Sequence, residues 1–460
     1  MMRSRIAAAA LFAALLFLIT GCGTSDSTST TQSAEDIAYS AYQKAADSLN
    51  ASHSLSVYIG TETQTTIGTQ TFSQTSQQQM DFSTDSANGF LASVQETVQI
   101  GSHSFTISEL YANGVNYIKL NDNLYKSPVT ATEFSRRFAP AVQFDTSLYQ
   151  DIQAVKNNGS TQIVFDQPAG AETWAIPEGA EFCDAQGYAL INSNGALTES
   201  TYTVSYLDGN ASVTKTVKLV IRGTDVQIAA PTDTESYIPL EYQDAPRLAE
   251  QAFGYLLQAT SIQSHATESI NCQAFSISRT QTSTLTMSGN EHNFFASLDT
   301  SVTQSNQSSG KKVMKQLELF QDGIYSISSN GGTPTQDASV NVQAMMAYCQ
   351  AYLEKDIILS EHIVSASFTE TEQAYRITFR TDQSSAEEIC AEICDTLYTN
   401  PTLLDTLASS SSLDIVEYTL EIDRISGLPV ASGLNFSATH IIETIPYQLS
   451  SQRTQTYQYN

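Results

Sequence analysis

The heptapeptide ELYANGV at residues 109–115 decides the organisation of this chain, because it recurs as ELFQDGI at residues 318–324. Two further pairs of segments occur in the same order. FLASV at 90–94 resembles FFASL at 294–298, and Ser52-His53 resembles Ser264-His265. The three offsets are 209, 204 and 212 residues, which is far longer than the period of a solenoid repeat. The sequence therefore predicts two tandem domains produced by duplication.

The repeated segment carries a hairpin signal in both copies. Asn113-Gly114 lies between apolar residues, and this dipeptide favours the type I′ turn, whose two central residues need positive φ. Asp322-Gly323 occupies the equivalent place in the second copy, and Asp208-Gly209 marks a further hairpin. The flanking residues alternate between apolar and polar in places, as half-buried antiparallel strands do. Each half is therefore predicted to contain an antiparallel sheet.

A helix is predicted to open each half. In the first, Ser33 and Asp36 resemble an N-terminal capping pattern, and an apolar face follows at Ile37, Ala41, Ala45 and Leu49. In the second, Asp244 precedes Pro246, which is tolerated in a first helical turn, and Leu248, Ala252 and Leu256 form the apolar face.

Helical segments are also predicted in the middle of each half. In the first, Thr130 and Glu133 form a capping pattern, and Leu148, Ile152 and Val155 line a second helix. In the second, an apolar stripe comprises Val342, Met345, Met346, Cys349 and Leu353. An extra helix in that half is predicted from Ser385 and Glu388 as its cap, with Ile389, Ile393 and Leu397 on one face.

The N-terminus has the pattern of an export signal. Arg3 and Arg5 precede an unbroken apolar run at residues 7–18, and Ile19-Thr20-Gly21-Cys22 follows. A basic start, an apolar stretch of about a dozen residues and a small-residue end are typical of a secretory signal peptide. The stretch resembles the lipobox of bacterial lipoproteins. This resemblance implies that residues 1–21 are removed and that Cys22 is diacylated, so a polar tether at 22–34 connects an extracytoplasmic protein to the cell membrane.

The order of elements resembles the LolA/LolB and LppX/LprG class of lipoprotein-carrier domains. The resemblance implies an α+β fold in two copies, at residues 35–237 and 243–460. Each copy is expected to have a strongly curved antiparallel sheet, an unclosed barrel, wrapped around helices. In that class, acyl chains lie in the concavity between sheet and helices.

Composition excludes several kinds of partner. The chain has 460 residues, with 21 Lys and Arg against 48 Asp and Glu, so its formal net charge is −27. A nucleic-acid surface needs clustered basic residues, and only Arg136-Arg137 and Lys311-Lys312 are adjacent pairs of that kind. The same charge disfavours electrostatic docking on anionic lipid. Membrane attachment is therefore expected to depend on the lipid at Cys22.

No motif for catalysis, nucleotide binding or a dedicated metal site occurs in the sequence. The six histidines are scattered, at positions 53, 103, 265, 292, 362 and 440. Cys390 and Cys394 share one face of the predicted extra helix; we interpret them as small buried apolar residues, with a redox or metal pair as the alternative. We therefore predict no enzyme activity, no cofactor and no metal.

The leading hypothesis is a non-catalytic lipoprotein that binds a lipid or another amphiphile between sheet and helices. The candidate residues for the cavity are Phe134, Phe138, Met345 and Met346. Because the second half carries more helix, its cavity is expected to be smaller or better covered. The alternative is a cell-envelope interaction or scaffold module, with filled cavities and a protein partner.

Overall fold

The structure of the protein is a computed structural model. It describes residues 34–85, 89–138, 152–157, 160–166, 176–177, 179–273, 276–306, 310–371, 373–397, 411–442 and 444–460. The predicted signal peptide, Cys22 and the tether up to Ser33 lie outside these residues, as does Leu148.

The chain divides into two compact units. Unit 1 comprises the chain up to Thr66 together with Ser73–Gln99 and Ser104–Tyr237. Unit 2 comprises Ile238–Asn460 together with the short segments Ile67–Phe72 and Ile100–His103.

Eleven strands of unit 1 lie together in one sheet as two joined meanders. They are β1 Ser54–Ile67, β2 Gln70–Asp85, β3 Gly89–Ile100, β4 His103–Ala112, β5 Val115–Leu120, β6 Asn123–Pro128, β7 Gln153–Asn157, β8 Ser160–Asp166, β9 Glu181–Ile191, β10 Leu197–Asp208 and β11 Ala211–Gly223. Their order across the sheet is β6-β5-β4-β3-β2-β1-β11-β10-β9-β8-β7. The first strand of the unit, β1, therefore pairs with the last, β11, at the centre of the sheet, and this pairing joins the two meanders.

Unit 2 repeats this arrangement. After the two-residue strand β12 Ile238–Pro239, its strands are β13 Ser261–Cys272, β14 Ile277–Ser288, β15 Phe295–Asn306, β16 Gly310–Gln321, β17 Ile324–Ser329, β18 Thr335–Asp337, β19 Ile363–Glu370, β20 Ala374–Thr381, β21 Ser411–Asp423, β22 Pro429–Ile442 and β23 Ile445–Tyr459. The order is β18-β17-β16-β15-β14-β13-β23-β22-β21-β20-β19. Strand by strand this is the order of unit 1, so the repeated heptapeptides lie in the equivalent hairpins β4–β5 and β16–β17.

Helices are few, and the predicted α+β class is wrong. The described helices are α1 Ala34–Asn50, α2 Ala131–Arg136, α3 Ala245–Gln258, α4 Val342–Glu354 and α5 Gln383–Leu397, with one 3₁₀ turn at Ser360–His362. Strands hold 60% of the described residues and helices 18%. The molecule is mostly β, because the helices are short and few while the polar, Thr-rich and Gln-rich stretches form strands of up to 16 residues.

The predicted hairpin turns are confirmed. Asn113 and Gly114 have φ of 53° and 79°, and Asp322 and Gly323 have φ of 51° and 77°. Each pair connects directly opposed strand residues, Ala112 with Val115 and Gln321 with Ile324. The turn after Asp208 is also present, with Asp208 opposite Ala211.

The helix predictions are confirmed in part. Thr130 and Glu133 form the complete capping box of α2, with the Glu133 amide donating to the Thr130 hydroxyl over 3.1 Å. The second helix predicted in that half is wrong at Val155, which lies in strand β7 opposite Gln162. In α5 the cap is Asp382 and not Ser385, because the Ser385 amide donates to the Asp382 carboxylate over 2.8 Å.

The core of unit 1 is formed by α1 against the sheet. The buried face of α1 consists of Ala38, Tyr42, Ala45, Ala46 and Leu49. This face is rotated from the predicted one, because Ile37 is exposed. In unit 2 the helix α5 buries Ile389, Cys390, Ile393, Cys394 and Leu397 against β13, β14, β22 and β23. We call this buried cluster the α5 core. It fixes the position of α5, which borders the candidate site.

Candidate functional site

A cavity of about 860 Å³ lies in unit 2 between helix α5 and strands β19–β21. Ligand pockets for small molecules typically have volumes of ~300–1,000 Å³, so this cavity is large enough for one. Its lining comprises Val364, Arg380, Thr381, Gln383, Ala386, Glu387, Cys390, Ser412, Leu413, Asp414, Ile415 and Val416.

Helix α5 forms one wall of the cavity with the residues of its first two turns. Ala386, Glu387 and Cys390 line the space, while Ile393 and Leu397 further along the helix are buried in the core. The Asp382 cap fixes where the helix begins, and the buried second half fixes its orientation. Residues that do not line the cavity, such as Asp382, Ile393 and Leu397, therefore fix the position of this wall.

The strand wall presents exposed apolar side chains. Val364 and Ile415 line the cavity while 37% and 43% of their surfaces remain exposed. Leu413 and Val416 are partly buried and pack against the α5 core. A ligand with an apolar part would cover these side chains, and the removal of such surface from water is favourable.

Polar groups form the rest of the lining, and several have partners. Arg380 donates to the Glu417 carboxylate over 2.8 and 3.0 Å, and Gln383 donates to Glu387 over 2.9 Å. Asp414 accepts a hydrogen bond from Thr439 over 2.7 Å. The cavity thus combines an apolar strip with an oriented polar border, which is an amphiphilic lining.

Phe134 and Phe138, two of the predicted cavity residues, lie together in the core of unit 1. Both are buried, their ring centroids are 5.4 Å apart, and the Arg137 guanidinium lies over both rings at 5.8 and 5.3 Å. Phe134 also packs against Tyr111 at 4.9 Å. Neither ring lines the 860 Å³ cavity.

Met345 and Met346, the other two candidates, lie on α4. Met345 is buried and Met346 is half-buried, and neither lines the 860 Å³ cavity. The extra helix of the second half was expected to fill space. In the structure α5 instead forms a wall of the cavity. The sequence offered one signal for this wall, the apolar face of α5, but nothing in it placed residues 412–416 opposite that face.

A buried ionic network lies elsewhere in unit 2, beside a polar cavity of about 40 Å³. Arg453 donates to Asp356 over 2.7 Å and to Glu268 over 2.9 Å, with Glu392 at 3.2 Å. Burial disfavours the charged form of both Asp356 and Arg453. It raises the pKa of Asp356. Burial alone would lower the pKa of Arg453, but the carboxylate partners outweigh it and raise that pKa. The network ties the turn after α4 to α5, β13 and β23, so we assign it to stability.

Among the described residues, no helix is both long and apolar enough to cross a membrane.

No family model matches the chain, and no curated protein matches it. Among solved structures, LprF from Mycobacterium bovis matches at 10% identity and a TM-score of 0.29, covering 44% of this chain and 99% of that one. A DUF1329 family protein from Desulfovibrio piger matches at 6% identity and a TM-score of 0.17, covering 43% of this chain and 96% of that one. These two matches each cover less than half of this chain, and likenesses this distant carry no functional conclusion.

Proposed function

We propose that the protein is a membrane-anchored extracytoplasmic lipoprotein that binds an amphiphilic ligand without catalysis, in the cavity between α5 and strands β19–β21. The observation that supports this proposal most is the cavity itself, with its volume of about 860 Å³ and its exposed apolar strip. The lipobox-like sequence ending at Cys22 supports the location.

The lining supports an amphiphile over a wholly apolar ligand. Val364, Leu413 and Ile415 would cover a hydrocarbon segment, and burial is worth ~0.8 kcal/mol per CH₂ group. Arg380 and Asp414 on the border already have hydrogen-bond partners, so they present oriented charges to a headgroup without large rearrangement. Binding of this kind needs no reacting group.

The test of binding uses the full chain and an anionic naphthalene-sulfonate dye, whose fluorescence rises in apolar surroundings. Ile415→Asp places a charge on the apolar strip at a side chain that is already exposed, so the fold should tolerate it. We expect the affinity for the dye to fall at least about tenfold, since burial of one large aliphatic side chain is worth ~1.5 kcal/mol or more. Lipids extracted from the purified protein should diminish in parallel.

The matched control is Ile441→Asp, which makes the same change at another exposed isoleucine of the same sheet that does not line the cavity. It should leave dye affinity and lipid content unchanged. If both variants bind the dye as the wild type does, or if the wild type yields no bound lipid and no dye binding, the ligand-binding proposal is wrong.

Anchoring is tested separately. Cys22→Ser removes the thiol that a diacylglyceryl group would occupy, so the variant should incorporate no labelled fatty acid and should leave the membrane fraction or accumulate as precursor. Two acyl chains hold a protein far more firmly than one. Labelled fatty acid in the Cys22→Ser variant would contradict the anchoring proposal.

A second candidate function, an envelope interaction module, is favoured by one surface of unit 2. Val313, Leu317 and Ile324 point to one face of β16 and β17 and are all exposed. Exposed apolar side chains on one face are a common mark of protein interfaces. A photo-crosslinking residue at Leu317, compared with one at Ile441, should form a discrete adduct in intact membranes if this surface is occupied.

A further inference from the structure

Three buried metal-ligating side chains converge in the core of unit 2. Cys390 and Cys394 lie on α5, and His440 lies on β22. One ligand atom from each lies within 4.8 Å of the other two. All three residues are buried, with 3%, 1% and 0% of their surfaces exposed.

Two separate elements of the fold, one helix and one strand, bring these residues together. Cys390 and Cys394 are four positions apart on α5, so their side chains lie on the same face of the helix. His440 comes from the adjoining sheet, where β22 pairs with β21 on one side and β23 on the other. Rigid elements therefore hold all three ligands, which favours a defined coordination geometry.

A third thiol lies in the same apolar cluster. Cys272 at the end of β13 is buried in the same cluster and acts electrostatically on the Cys394 thiol. Its sulfur is not among the three ligand atoms that lie within 4.8 Å of one another, so the site has three protein ligands and an open fourth position.

The surroundings decide which ion fits. The neighbouring side chains are apolar, among them Ile270, Ile393, Leu434 and Phe436. Thiolates and imidazole are ligands for soft or borderline ions such as Zn²⁺, whereas Ca²⁺ and Mg²⁺ require oxygen. A divalent ion with two thiolates and a neutral imidazole has no net charge, which suits an apolar site.

We propose that Cys390, Cys394 and His440 bind a thiolate-preferring transition-metal ion, with Zn²⁺ as the best match. Binding forms two metal–sulfur bonds and one metal–nitrogen bond, and two thiol protons pass to solvent. Cys390 also lines the 860 Å³ cavity, so an ion has a path from solvent to the site.

The thiol protonation state is consistent with this site. The hydrogen bond with Cys390 and burial both raise the pKa of the Cys394 thiol. Because a metal ion binds the thiolate form, it must displace the thiol protons on binding.

The experiment uses the purified full chain in detergent, reduced with a phosphine, stripped with a chelator and then titrated with Co²⁺. We expect one Co²⁺ per chain, with the thiolate charge-transfer band and the intense visible bands of tetrahedral cobalt. Added Zn²⁺ should bleach both. The band should weaken in Cys390→Ser, Cys394→Ser and His440→Gln, with affinity falling by more than the roughly 10–100-fold that loss of a supporting group costs at metal sites.

The matched controls are Cys349→Ser, a buried cysteine of unit 2 outside the cluster, and Cys183→Ser, an exposed one. Both should bind Co²⁺ as the wild type does. A wild-type chain that shows no cobalt band, or variants at Cys390 and Cys394 that keep it undiminished, would overturn the proposal.

A second measurement avoids dependence on folded variants. Alkylation of the wild-type chain, followed by mass spectrometry, should show Cys390 and Cys394 protected by Zn²⁺, with Cys183 modified in every sample. Equal alkylation with and without Zn²⁺ would contradict the site, as would a Cys390–Cys394 disulfide in protein isolated directly from cells. Neither result bears on dye binding, so this proposal and the ligand-binding proposal can fail separately.

Discussion

Strands β4–β6 of unit 1 and β16–β18 of unit 2 have the same place in the same strand order, but their side chains have different surroundings. Phe105 on β4 is 1% exposed, and the residue 209 positions later, Met314 on β16, is 38% exposed. Ile107 and Leu120 are buried in unit 1, and the corresponding residues of unit 2 are Gln316 and Ser329. The two units therefore share their strand order and the turns of their repeated hairpins, while the burial of their strand faces differs.

A repeated glutamate shows the same difference at the level of charge. Glu109 on β4 accepts two hydrogen bonds from Arg137, at 2.6 and 2.8 Å, and one from Asn116 at 2.6 Å. Its counterpart Glu318 accepts from the Tyr325 hydroxyl at 2.8 Å and from Tyr348 at 3.4 Å. The same position is thus stabilised by an ion pair in unit 1 and by neutral donors in unit 2.

The largest effect is expected where the ion pair is broken. Arg137→Met keeps the packing of the stem on Phe134 and Phe138 but leaves the buried Glu109 carboxylate without its cation. Loss of one partner of a buried pair costs ~3–5 kcal/mol. Hydrogen exchange in β4 and β5 should accelerate accordingly.

The matched variant in unit 2 is Tyr348→Phe, which removes a long hydrogen bond to Glu318 and should cost at most about 1 kcal/mol in β16 and β17. Equal losses from the two variants would show that Glu109 and Glu318 are stabilised alike, despite their different partners.

The next largest effect on stability is expected at Met345 and Met346, which were predicted from the sequence together as cavity residues. Met345 is buried in unit 2 and Met346 is half-buried. Met345→Ala should cost about 3 kcal/mol of unfolding free energy, within the ~2–5 kcal/mol range for buried Met. Met346→Ala should cost clearly less, and neither should change dye affinity, because neither residue lines the cavity. Loss of dye binding in folded Met346→Ala would restore the original cavity assignment.

The sequence was informative wherever a feature depended on neighbouring residues. Asn113-Gly114 and Asp322-Gly323 predicted their turns because positive φ is a local property. Thr130 with Glu133 predicted the α2 cap for the same reason. Val155 failed because its apolar spacing fitted a helix as well as the strand that pairs with β8.

The candidate sites depended on long-range placement, which one sequence does not contain. Cys390 and Cys394 were visible as a helical pair, but His440 is 46 positions beyond Cys394, on a different element. Only the pairing of β22 with β21 and β23 brings it to the helix. The cavity likewise arises because residues 412–416 lie opposite α5.

A smaller effect is expected on the stability of unit 2, which should depend on pH through Glu354. Burial raises the pKa of Glu354 on α4 from 4.5 to about 7, so the folded state favours the protonated form. This stability is complete below pH 4.5 and is lost as the pH rises to about 7. Allowing for partial exposure, we expect a loss of about 1 kcal/mol from unit 2 across that window.

Glu354→Gln removes the titration, so at pH 8 the variant should be more stable than the wild type by about 1 kcal/mol, and at pH 4 equal to it. Glu388→Gln, an exposed change of the same charge on α5, is the control. A control variant that shifts the pH profile as much would assign the effect to net charge rather than to Glu354.

The smallest effect is expected at the two hairpin turns, a feature that both units share. Gly114 and Gly323 have φ of 79° and 77°, and a Cβ at either would meet no atom closer than 4.0 Å. The cost of Gly→Ala at both is therefore backbone strain alone, about 1 kcal/mol, since an L-residue pays roughly 1–2 kcal/mol in left-handed conformations. Hydrogen exchange should show equal weakening of β4–β5 in Gly114→Ala and of β16–β17 in Gly323→Ala, with Gly223→Ala, at ordinary φ and in open space, as the control. An unequal result would mean that the different surroundings of the two hairpins also affect their turns, so that the turn backbone would no longer be a feature that the two units share.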